Sequence, residues 1–594
     1  MKRRSTTTAA LAVAAVAALT IAACSSSSTS STGGTKGSST STVGAPAFNA
    51  GITQAINPSN AKSSGTITMD AHNTPDSFDG GNTYYAWVLD FTHLYELPMF
   101  VYKSCPGQCG LQLVPGLAAD MGTTSDNGLT WTFHIQPDVK YENGATVTAS
   151  DVKYAIERTY DRSIMDNGPT YYQALLTDPT YPGPYKDRSK NLMGLTAIDV
   201  PNATTLVFHL QSPFPDLPYV LAFPSSAPVP PASDTGANYQ LHPMSTGPYK
   251  FQSYQLNKQL TLVPNTNWNP ATDPNAKQLV SKIVVNLNVS QADIDNRLAA
   301  GDIDLDVYGA GMATAGGAKV LASSTLKANA DDAINGFARF TYLDTQVAPM
   351  NNLHCREAVE FAVNKTAVQD AWGGAYEGGA VASTVMPPTV IGYKSFDYYK
   401  ALSMPGGDTA DAKTQLAACG KPNGFSTAMA YRSDDPDEAG AATAIQAALA
   451  QVGIKVTLRG YSTGNYYTDF AGVPTYMAKN NISMAMGGWG ADWPNGYGFL
   501  DELSNGNSIA STGNTNISML NDPVINNLFK QSSTLTGAAR TAVWAQVDEQ
   551  IMKDAAIVPG VYQKALLYRN PDLTNVYVST YYGMYDYAVL GLKS

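Results

Sequence analysis

Residues 435–459 read DPDEAGAATAIQAALAQVGIKVTLR, and this stretch decides the class of fold. Asp435 is a residue type that caps helices, Pro436 suits the first helical position, and Glu438 completes the spacing of a capping box. Gly453 provides the stop signal. The pattern predicts a helix that buries one stripe, formed by Ile445, Leu449 and Val452.

A strand pattern follows this helix directly. Residues 454–459 alternate apolar and polar side chains, which is the period of a half-buried strand. The same alternation occurs in residues 129–135, which end in the turn-prone Gln136-Pro137-Asp138. A helix is expected over 151–158, behind a cap region at 148–150. Helices and strands that alternate in this way predict a mixed α/β architecture.

The N-terminus has the pattern of an export signal. Basic residues at 2–4 precede an apolar stretch at 9–23, which is too short and too rich in alanine for a membrane span. Cys24 follows Ala22-Ala23 and resembles the cysteine of a bacterial lipobox, which is acylated and becomes the new N-terminus. We therefore predict a signal peptide at 1–23 and a lipid anchor at Cys24. The alternative is an ordinary signal peptide with a chance cysteine.

The segment after Cys24 predicts a tether. Residues 25–45 are almost entirely Ser, Thr and Gly, so they cannot bury enough apolar surface to offset their ordering entropy. From Pro46 onward, aromatic and β-branched residues become frequent. The remaining length is too great for one hydrophobic core, so two or three lobes are expected.

Composition argues against a nucleic-acid partner. The formal net charge is −11, only 14% of the residues are charged, and no basic patch with interleaved aromatic residues occurs. Tyrosine is abundant, with 34 copies. Because tyrosine joins an apolar ring to a polar tip, it suits a wet recognition groove, although large exported proteins also tolerate it.

Four cysteines remain apart from Cys24. In the oxidising compartment expected for an exported protein they can form two disulfides, with three possible pairings. Cys105 and Cys109 close a tight turn, so their proximity favours a disulfide, and Cys355 would then pair with Cys419. The alternative is a metal site, which needs more ligands than two loop cysteines and scattered histidines provide. We predict disulfides, and neither a metal site nor a cofactor.

The sequence contains one catalytic motif, and the order of residues along the chain shows whether its partners are present. Residues 460–464 read GYSTG and match the nucleophile elbow of serine hydrolases, with Ser462 as the nucleophile. That motif needs a histidine later in the chain. Dinucleotide, phosphate-loop and zinc-protease motifs are absent from the sequence. We predict a binding protein and not an enzyme, because every histidine precedes Ser462: His72, His93, His134, His209, His242 and His354.

An ordered set of blocks resembles the peptide-type solute-binding proteins of ABC importers, the oligopeptide- and dipeptide-binding family. Each block is weak alone, and the set runs in family order from about residue 66 to the C-terminus. The blocks are 114–120, 128–133, 139–144, 149–152, 246–249, 265–268, 300–304, 355–358 and 487–492.

The resemblance implies the three-lobed, type II periplasmic-binding-protein fold, in which lobes close around a ligand by hinge motion. It places the hinge near residues 320–330 and 561–564. The expected segments are the signal peptide (1–23), the lipidated cysteine and linker (24–45), lobe I in three parts (46–103, 223–325 and 563–594), lobe II (104–222) and lobe III (326–562).

The best-defined ligand contact of the family is an aspartate that pairs with the free amino group of a bound peptide. It matches Asp492, in the tract Gly488-Trp489-Gly490-Ala491-Asp492-Trp493-Pro494. A carboxylate in an apolar tract suits an ammonium partner, and the alternative is a turn-forming aspartate. Main-chain groups of Gly488 and Gly490 are expected to bind peptide backbone. Trp489 and Trp493 are expected to wall a side-chain pocket, unless they are plain core residues.

The resemblance suggests three further contacts. Arg432 lies where relatives that bind short peptides hold the ligand carboxylate, although the aspartates within 434–437 offer it an alternative balance. Tyr84 and Tyr85 lie where lobe I contacts ligand main chain. Met486 stands where some oligopeptide binders carry an arginine, so the resemblance predicts neither ligand length nor carboxylate recognition.

Together these features predict a monomeric, lipid-anchored receptor on the extracellular face of the cytoplasmic membrane. It would capture peptides and deliver them to an ABC permease, whose partner subunits hydrolyse ATP. The alternatives are a receptor of the same fold for an oligosaccharide or metal chelate, an exported hydrolase acting through Ser462, and an adhesion or signalling lipoprotein.

Overall fold

The computed structural model describes residues 47–188 and 194–593, so the signal peptide, Cys24 and the linker lie outside the described residues. The strands, in chain order, are β1 (Thr66–Asp70), β2 (Phe100–Tyr102), β3 (Leu113–Pro115), β4 (Thr123–Ser125), β5 (Thr130–His134), β6 (Ile198–Asn202), β7 (Thr205–His209), β8 (Tyr249–Gln255), β9 (Gln259–Pro264), β10 (Lys282–Asn286), β11 (Leu305–Asp306), β12 (Ala330–Leu343), β13 (Ala380–Val381), β14 (Ser426–Arg432), β15 (Lys455–Tyr461), β16 (Ile482–Gly490), β17 (Ile557–Tyr568), β18 (Leu573–Thr574) and β19 (Gly591–Leu592).

The α-helices, in the same order, are α1 (Ala50–Thr53), α2 (Ala86–Phe91), α3 (Ala149–Arg158), α4 (Tyr171–Leu175), α5 (Leu217–Val220), α6 (Gln291–Ala300), α7 (Thr314–Ala322), α8 (Ser324–Lys327), α9 (Leu353–Ala362), α10 (Lys365–Ala371), α11 (Gly374–Glu377), α12 (Thr409–Ala418), α13 (Pro436–Ala450), α14 (Pro474–Lys479), α15 (Gly496–Ser504), α16 (Pro523–Ser532) and α17 (Gly537–Lys553).

The helix and strand predicted around Asp435 are confirmed as α13 and β15. The Asp435 side chain accepts a hydrogen bond from the Glu438 amide at 3.1 Å, as an N-cap should. The expected reciprocal bond of a capping box is replaced, because the Glu438 carboxylate binds Arg432 instead. The predicted stripe is buried: Ile445, Leu449 and Val452 are at most 5% exposed. Helix α3 and strand β5 also form where the sequence predicts them.

The described residues form three larger sheets and two two-stranded sheets, β2–β3 and β18–β19. A five-stranded sheet has the order β11–β1–β10–β9–β8, and a four-stranded sheet has the order β4–β5–β7–β6. A six-stranded sheet has the order β13–β17–β12–β16–β14–β15. The first two sheets each pack on one large apolar core, which we call the five-strand core and the four-strand core. The six-stranded sheet has cores on both faces. The segment boundaries predicted for the three lobes stay a prediction.

Strands β12 and β17 pair with each other and run between two cores. Ala333 and Ala565 contribute to the five-strand core, while Ala338 and Tyr562 belong to a core of the six-stranded sheet. Their register shifts between Ile334 and Ala338. This irregular segment lies opposite the predicted hinge at 561–564. The other predicted hinge segment, residues 320–330, falls mainly in α7, in α8 and in the turn before β12, and both hinge positions stay predictions.

The structure joins Cys105 to Cys109, with 5.8 Å between their Cα atoms, and Cys355 to Cys419, with 5.2 Å between theirs. This is the pairing that the sequence predicts. Groups of three or more His, Cys, Asp or Glu side chains arranged to hold a metal ion do not occur in the part of the chain that the structure describes. Within the same part, no helix has the length and apolar character needed to cross a membrane.

Candidate functional site

Asp492 lies just beyond the end of β16, where three tyrosines from distant parts of the chain meet it. The Tyr84 hydroxyl donates a hydrogen bond to its carboxylate. The Tyr171 hydroxyl lies 3.0 Å from that of Tyr84 and also bonds to the carboxylate. The Tyr581 hydroxyl donates to the main-chain oxygen of Asp492 at 2.8 Å. Asp492 is thus the point at which segments separated by hundreds of residues converge.

The Asp492 carboxylate has hydrogen-bond donors around it, but no described cation balances its charge. Burial raises the pKa of this carboxyl to about 6, while the hydrogen bonds from Tyr84 and Tyr171 oppose part of that rise. Among the described residues, no Lys, Arg or His forms an ion pair with Asp492. A carboxylate with hydroxyl donors but no cation is arranged to attract a cationic group of a ligand.

A cavity of about 460 Å³ opens beside Asp492. Its volume falls in the range of small-molecule sites in proteins. Asp492, Gly488, Trp489, Gly490 and Arg432 all line it. The walls are mostly apolar and aromatic, with contributions from Tyr84, Phe223, Phe337, Tyr342, Tyr467, Trp489, Tyr581 and Tyr582.

The end of β16 has one edge that no described strand covers. Strand β12 pairs with β16 as far as Gly490, but the parallel pairing of β14 with β16 stops at Ala485. Main-chain groups of β16 between Ala485 and Gly490 on the β14 side are therefore outside the sheet ladder. Two of these residues have tyrosine partners instead, because the Tyr466 hydroxyl donates to the Met486 carbonyl oxygen at 2.8 Å and the Tyr467 hydroxyl bonds to the Gly488 backbone. An extended ligand could add there as a strand, which recognises backbone without reading side chains.

The two glycines of β16 are required by the side chains that lie over the strand. A Cβ on Gly488 would come within 2.8 Å of Arg339 Cδ, and a Cβ on Gly490 within 3.0 Å of the Phe337 ring. Because both contacts are shorter than van der Waals distance, larger residues here would push Arg339 and Phe337 aside. The glycines thus let these side chains reach the cavity wall.

Arg432 lines the cavity, but its charge is already paired. Its Nε donates to Glu438 Oε2 at 2.9 Å, its Nη2 donates to the same oxygen, and its amide donates to Oε1 at 2.7 Å. Asp435 is 3.5 Å from the guanidinium. The Glu438 side chain is fully buried, so it cannot release Arg432 without becoming an uncompensated buried charge. Arg432 thus lines the cavity with its charge balanced by Glu438, and its contact with a ligand carboxylate stays a prediction.

Trp493 does not wall the cavity. Its indole Nε1 donates to Asp216 Oδ2 at 3.1 Å, and its ring packs in the four-strand core against Phe214 and Tyr171. The physical reason is that a buried indole N–H needs an acceptor, and Asp216, which does not line the cavity, supplies one. Trp489 does line the cavity, and its indole nitrogen is buried without a hydrogen-bond partner among the described residues.

The two adjacent tyrosines differ in position. Tyr84 lines the cavity and contacts Asp492. Tyr85 is 46% exposed, occupies the N-cap position of α2 and does not line the cavity. Because neighbouring residues of an extended segment point to opposite sides, only one of the pair can face the ligand site.

Ser462 lacks the neighbours of a nucleophile. Its hydroxyl bonds to Asn465, and both groups are on the exposed surface. The histidines are engaged elsewhere: His93 with Asp273, His134 with Asp120, His209 with Asp199, His242 with Glu142, His354 with Glu357 and His72 against the Tyr308 ring.

The model of the bacterial extracellular solute-binding proteins, family 5 (middle region), matches residues 112–511, which is more than half of the chain. The chain belongs to this family. Family 5 proteins are the solute-binding components of ABC transporters, so this solute-binding protein works outside the cytoplasm as a receptor.

Curated relatives span most of this solute-binding protein. It is 25% identical over 501 residues to the probable D,D-dipeptide-binding periplasmic protein DdpA of Escherichia coli K12, covering 83% of this chain and 85% of DdpA. It is 22% identical over 481 residues to the glutathione-binding protein GsiB of Salmonella typhi, covering 78% and 84% of the two chains. Both relatives are binding proteins rather than enzymes.

A solved structure of a clavulanic acid biosynthesis oligopeptide binding protein 2 is similar over almost its whole length. The TM-score is 0.87 and the identity is 34%, with 93% of this chain and 99% of the other covered. The α/β fold of type II periplasmic binding proteins, which the sequence predicts, is confirmed for this solute-binding protein.

Proposed function

We propose that this solute-binding protein captures peptides that carry a free amino terminus. The observation that supports the proposal most strongly is Asp492: a carboxylate on the cavity wall that is bonded to tyrosine hydroxyls and to no cation of the described residues. A peptide ammonium group would supply the missing positive charge. It would lie beside the Asp492 carboxylate, close to the Tyr84 and Tyr171 oxygens.

The remainder of the cavity suits the body of a peptide. The edge of β16 at Gly488 and Gly490, which no described strand covers, would pair with ligand backbone. The indole N–H of Trp489, which has no partner among the described residues, would donate to a ligand carbonyl. Aromatic walls offer apolar contact to side chains of varied size. The names of relatives that bind D,D-dipeptides, glutathione and oligopeptides support a peptide-like ligand.

Delivery of the ligand to an ABC permease is part of the proposal, and family membership supports it. The lipobox-like Ala22-Ala23-Cys24 supports lipid anchoring of a monomer to the outer face of the cytoplasmic membrane, and residues 25–45 would serve as its leash. Replacing Cys24 with Ser is expected to shift the protein from the membrane fraction to the medium. Retention of Cys24→Ser protein in the membrane would contradict lipid anchoring through this residue.

Native mass spectrometry of the purified protein lacking residues 1–45 tests the ligand class. We expect a mixture of co-purifying masses that match peptides and disappear after partial unfolding and dialysis. A single mass that matches an oligosaccharide or a metal chelate would overturn the peptide proposal while leaving the family intact.

A further inference from the structure

Arg339 is an arginine of the cavity wall that forms no ion pair with a described residue, and its role is not predicted from the sequence. It lies on β12 directly opposite Gly488 of β16. Its Nε donates to Gln563 Oε1 at 3.1 Å. Neither Nη atom donates a hydrogen bond to a described residue, and no carboxylate of the described chain lies within 4 Å of the guanidinium.

The neighbours of Arg339 hold the side chain in place without balancing its charge. The guanidinium carbon lies 5.0 Å from the Trp372 ring centroid and 5.7 Å from that of Phe337. Burial and the nearby charge of Arg432 both lower its pKa, while Glu438 and Asp435 act on it only from a distance. Arg432 and Arg339 both line the cavity, but Glu438 is hydrogen-bonded to Arg432. Arg339 is therefore the arginine of the two whose Nη donors have no partner among the described residues.

We infer that Arg339 binds the terminal carboxylate of the captured peptide. An arginine fork matches a carboxylate in geometry and charge, and a cation kept from water without a partner is otherwise unfavourable. The inference rests on the proposed peptide function and adds a second charged contact to it. Asp492 would hold the ammonium end and Arg339 the carboxylate end.

The positions of the two groups limit the length of the ligand. Arg339 is paired with Gly488, and Asp492 follows four residues later on the same chain. At about 3.3 Å per extended residue the Cα atoms of Gly488 and Asp492 are at most about 13 Å apart. The Arg339 Nη1 atom lies 2.9 Å from where a Cβ of Gly488 would stand, so the guanidinium lies over Gly488. Because a peptide spans at most about 3.3–3.6 Å per residue, a ligand held at both ends is expected to be short.

The test compares free acids with amides. A random library of di- to hexapeptides is synthesised once with free carboxyl termini and once with C-terminal amides, and retained peptides are measured by affinity-selection mass spectrometry. Wild-type protein is expected to prefer short free acids over the matching amides by at least about tenfold. In Arg339→Met this preference should fall to about twofold or less, and Arg339→Lys should retain an intermediate preference.

Two controls separate the possible failures. Arg459 is an exposed arginine on β15 of the same sheet, so Arg459→Met removes the same charge and should behave as wild type. Preference of Arg339→Met for free over N-acetylated amines would show that its Asp492 end is intact. Wild-type protein that retains acids and amides equally, or Arg339→Met that keeps the tenfold preference, would overturn the inference alone. Retention of no peptide of either kind by wild type would overturn the proposed function as well.

Discussion

At the scale of single residues, the buried carboxylates of this protein differ in their partners. Asp216 meets Arg540 and Glu438 meets Arg432, so these charges are balanced within the chain. Among the described residues, the Asp492 carboxylate meets tyrosine hydroxyls, which donate hydrogen bonds to it but do not balance its negative charge. That difference, together with its half-buried position on the cavity wall, is why Asp492 rather than Asp216 or Glu438 is assigned to the ligand.

The raised pKa of Asp492 predicts a pH dependence of peptide binding. Since the pKa in the free protein is about 6, the carboxylate is ionised at pH 7 and is mostly protonated at pH 5. Only the ionised form attracts an ammonium group, so affinity for a free-amine peptide should fall about tenfold from pH 7 to pH 5.

Isothermal titration calorimetry across this range checks the pH prediction. Asp492→Asn is the control, because its weaker binding should lose most of the pH dependence. An equal fall in affinity for wild type and variant would assign the titration to another group.

At the scale of elements, the end of β16 combines a free strand edge with glycines that make room for Arg339 and Phe337. Gly488→Ala would place its Cβ 2.8 Å from Arg339 Cδ and 3.0 Å from the Ala338 carbonyl oxygen. We expect this overpacking to cost about 1–3 kcal/mol locally and to lower peptide affinity about tenfold.

Thermal unfolding and calorimetry on the same samples measure the effect of Gly488→Ala. Gly464→Ala is a suitable control, because an added Cβ there meets no atom within 4 Å. Unchanged affinity in Gly488→Ala would mean that neither the strand edge nor Arg339 contacts the ligand.

Local signals explain which elements could be predicted from the sequence. Helix α13 carries its cap, first-turn proline and stop residue within twenty residues, so neighbouring side chains determine it. Arg339 could not be predicted as a site residue, because its free charge depends on Glu438 pairing with Arg432 and on β12 pairing with Gly488. The expectation that Trp493 walls the cavity is wrong for the same reason, because its hydrogen-bond acceptor, Asp216, lies 277 residues away in sequence.

At the scale of the whole molecule, Asp216 joins parts of the chain that belong to different sheets. It precedes α5, beside the four-strand core, and accepts hydrogen bonds from Trp493 and Asn495 at 3.1 Å each. Arg540 of α17 donates two further bonds, one of them at 2.9 Å. The residues that follow Asp492 are therefore fixed to the four-strand core, and the ligand site is coupled to the arrangement of the sheets.

Breaking this contact should destabilise the protein. Arg540→Gln would leave the nearly inaccessible Asp216 carboxylate without a cation, which should cost about 3 kcal/mol. The matched control is Lys553→Gln, which removes an exposed ion pair with Glu549 and should cost about 0.5 kcal/mol or less.

The midpoint of thermal unfolding, with hydrogen exchange of the amides at 493–495, measures both changes. Equal midpoints for Arg540→Gln and Lys553→Gln would show that the Asp216 contact does not hold the sheets together.

The central claim, that Asp492 binds a peptide ammonium group, is tested most directly by calorimetry with one peptide in two forms. The peptide is chosen from those that co-purify, and it is titrated with a free and with an N-acetylated amino terminus. Wild-type protein should bind the free form at least about tenfold more tightly, and Asp492→Asn should bind both forms with similar, weak affinity. Equal binding of the two forms by wild type, or an equal loss for both in Asp492→Asn, would contradict the claim.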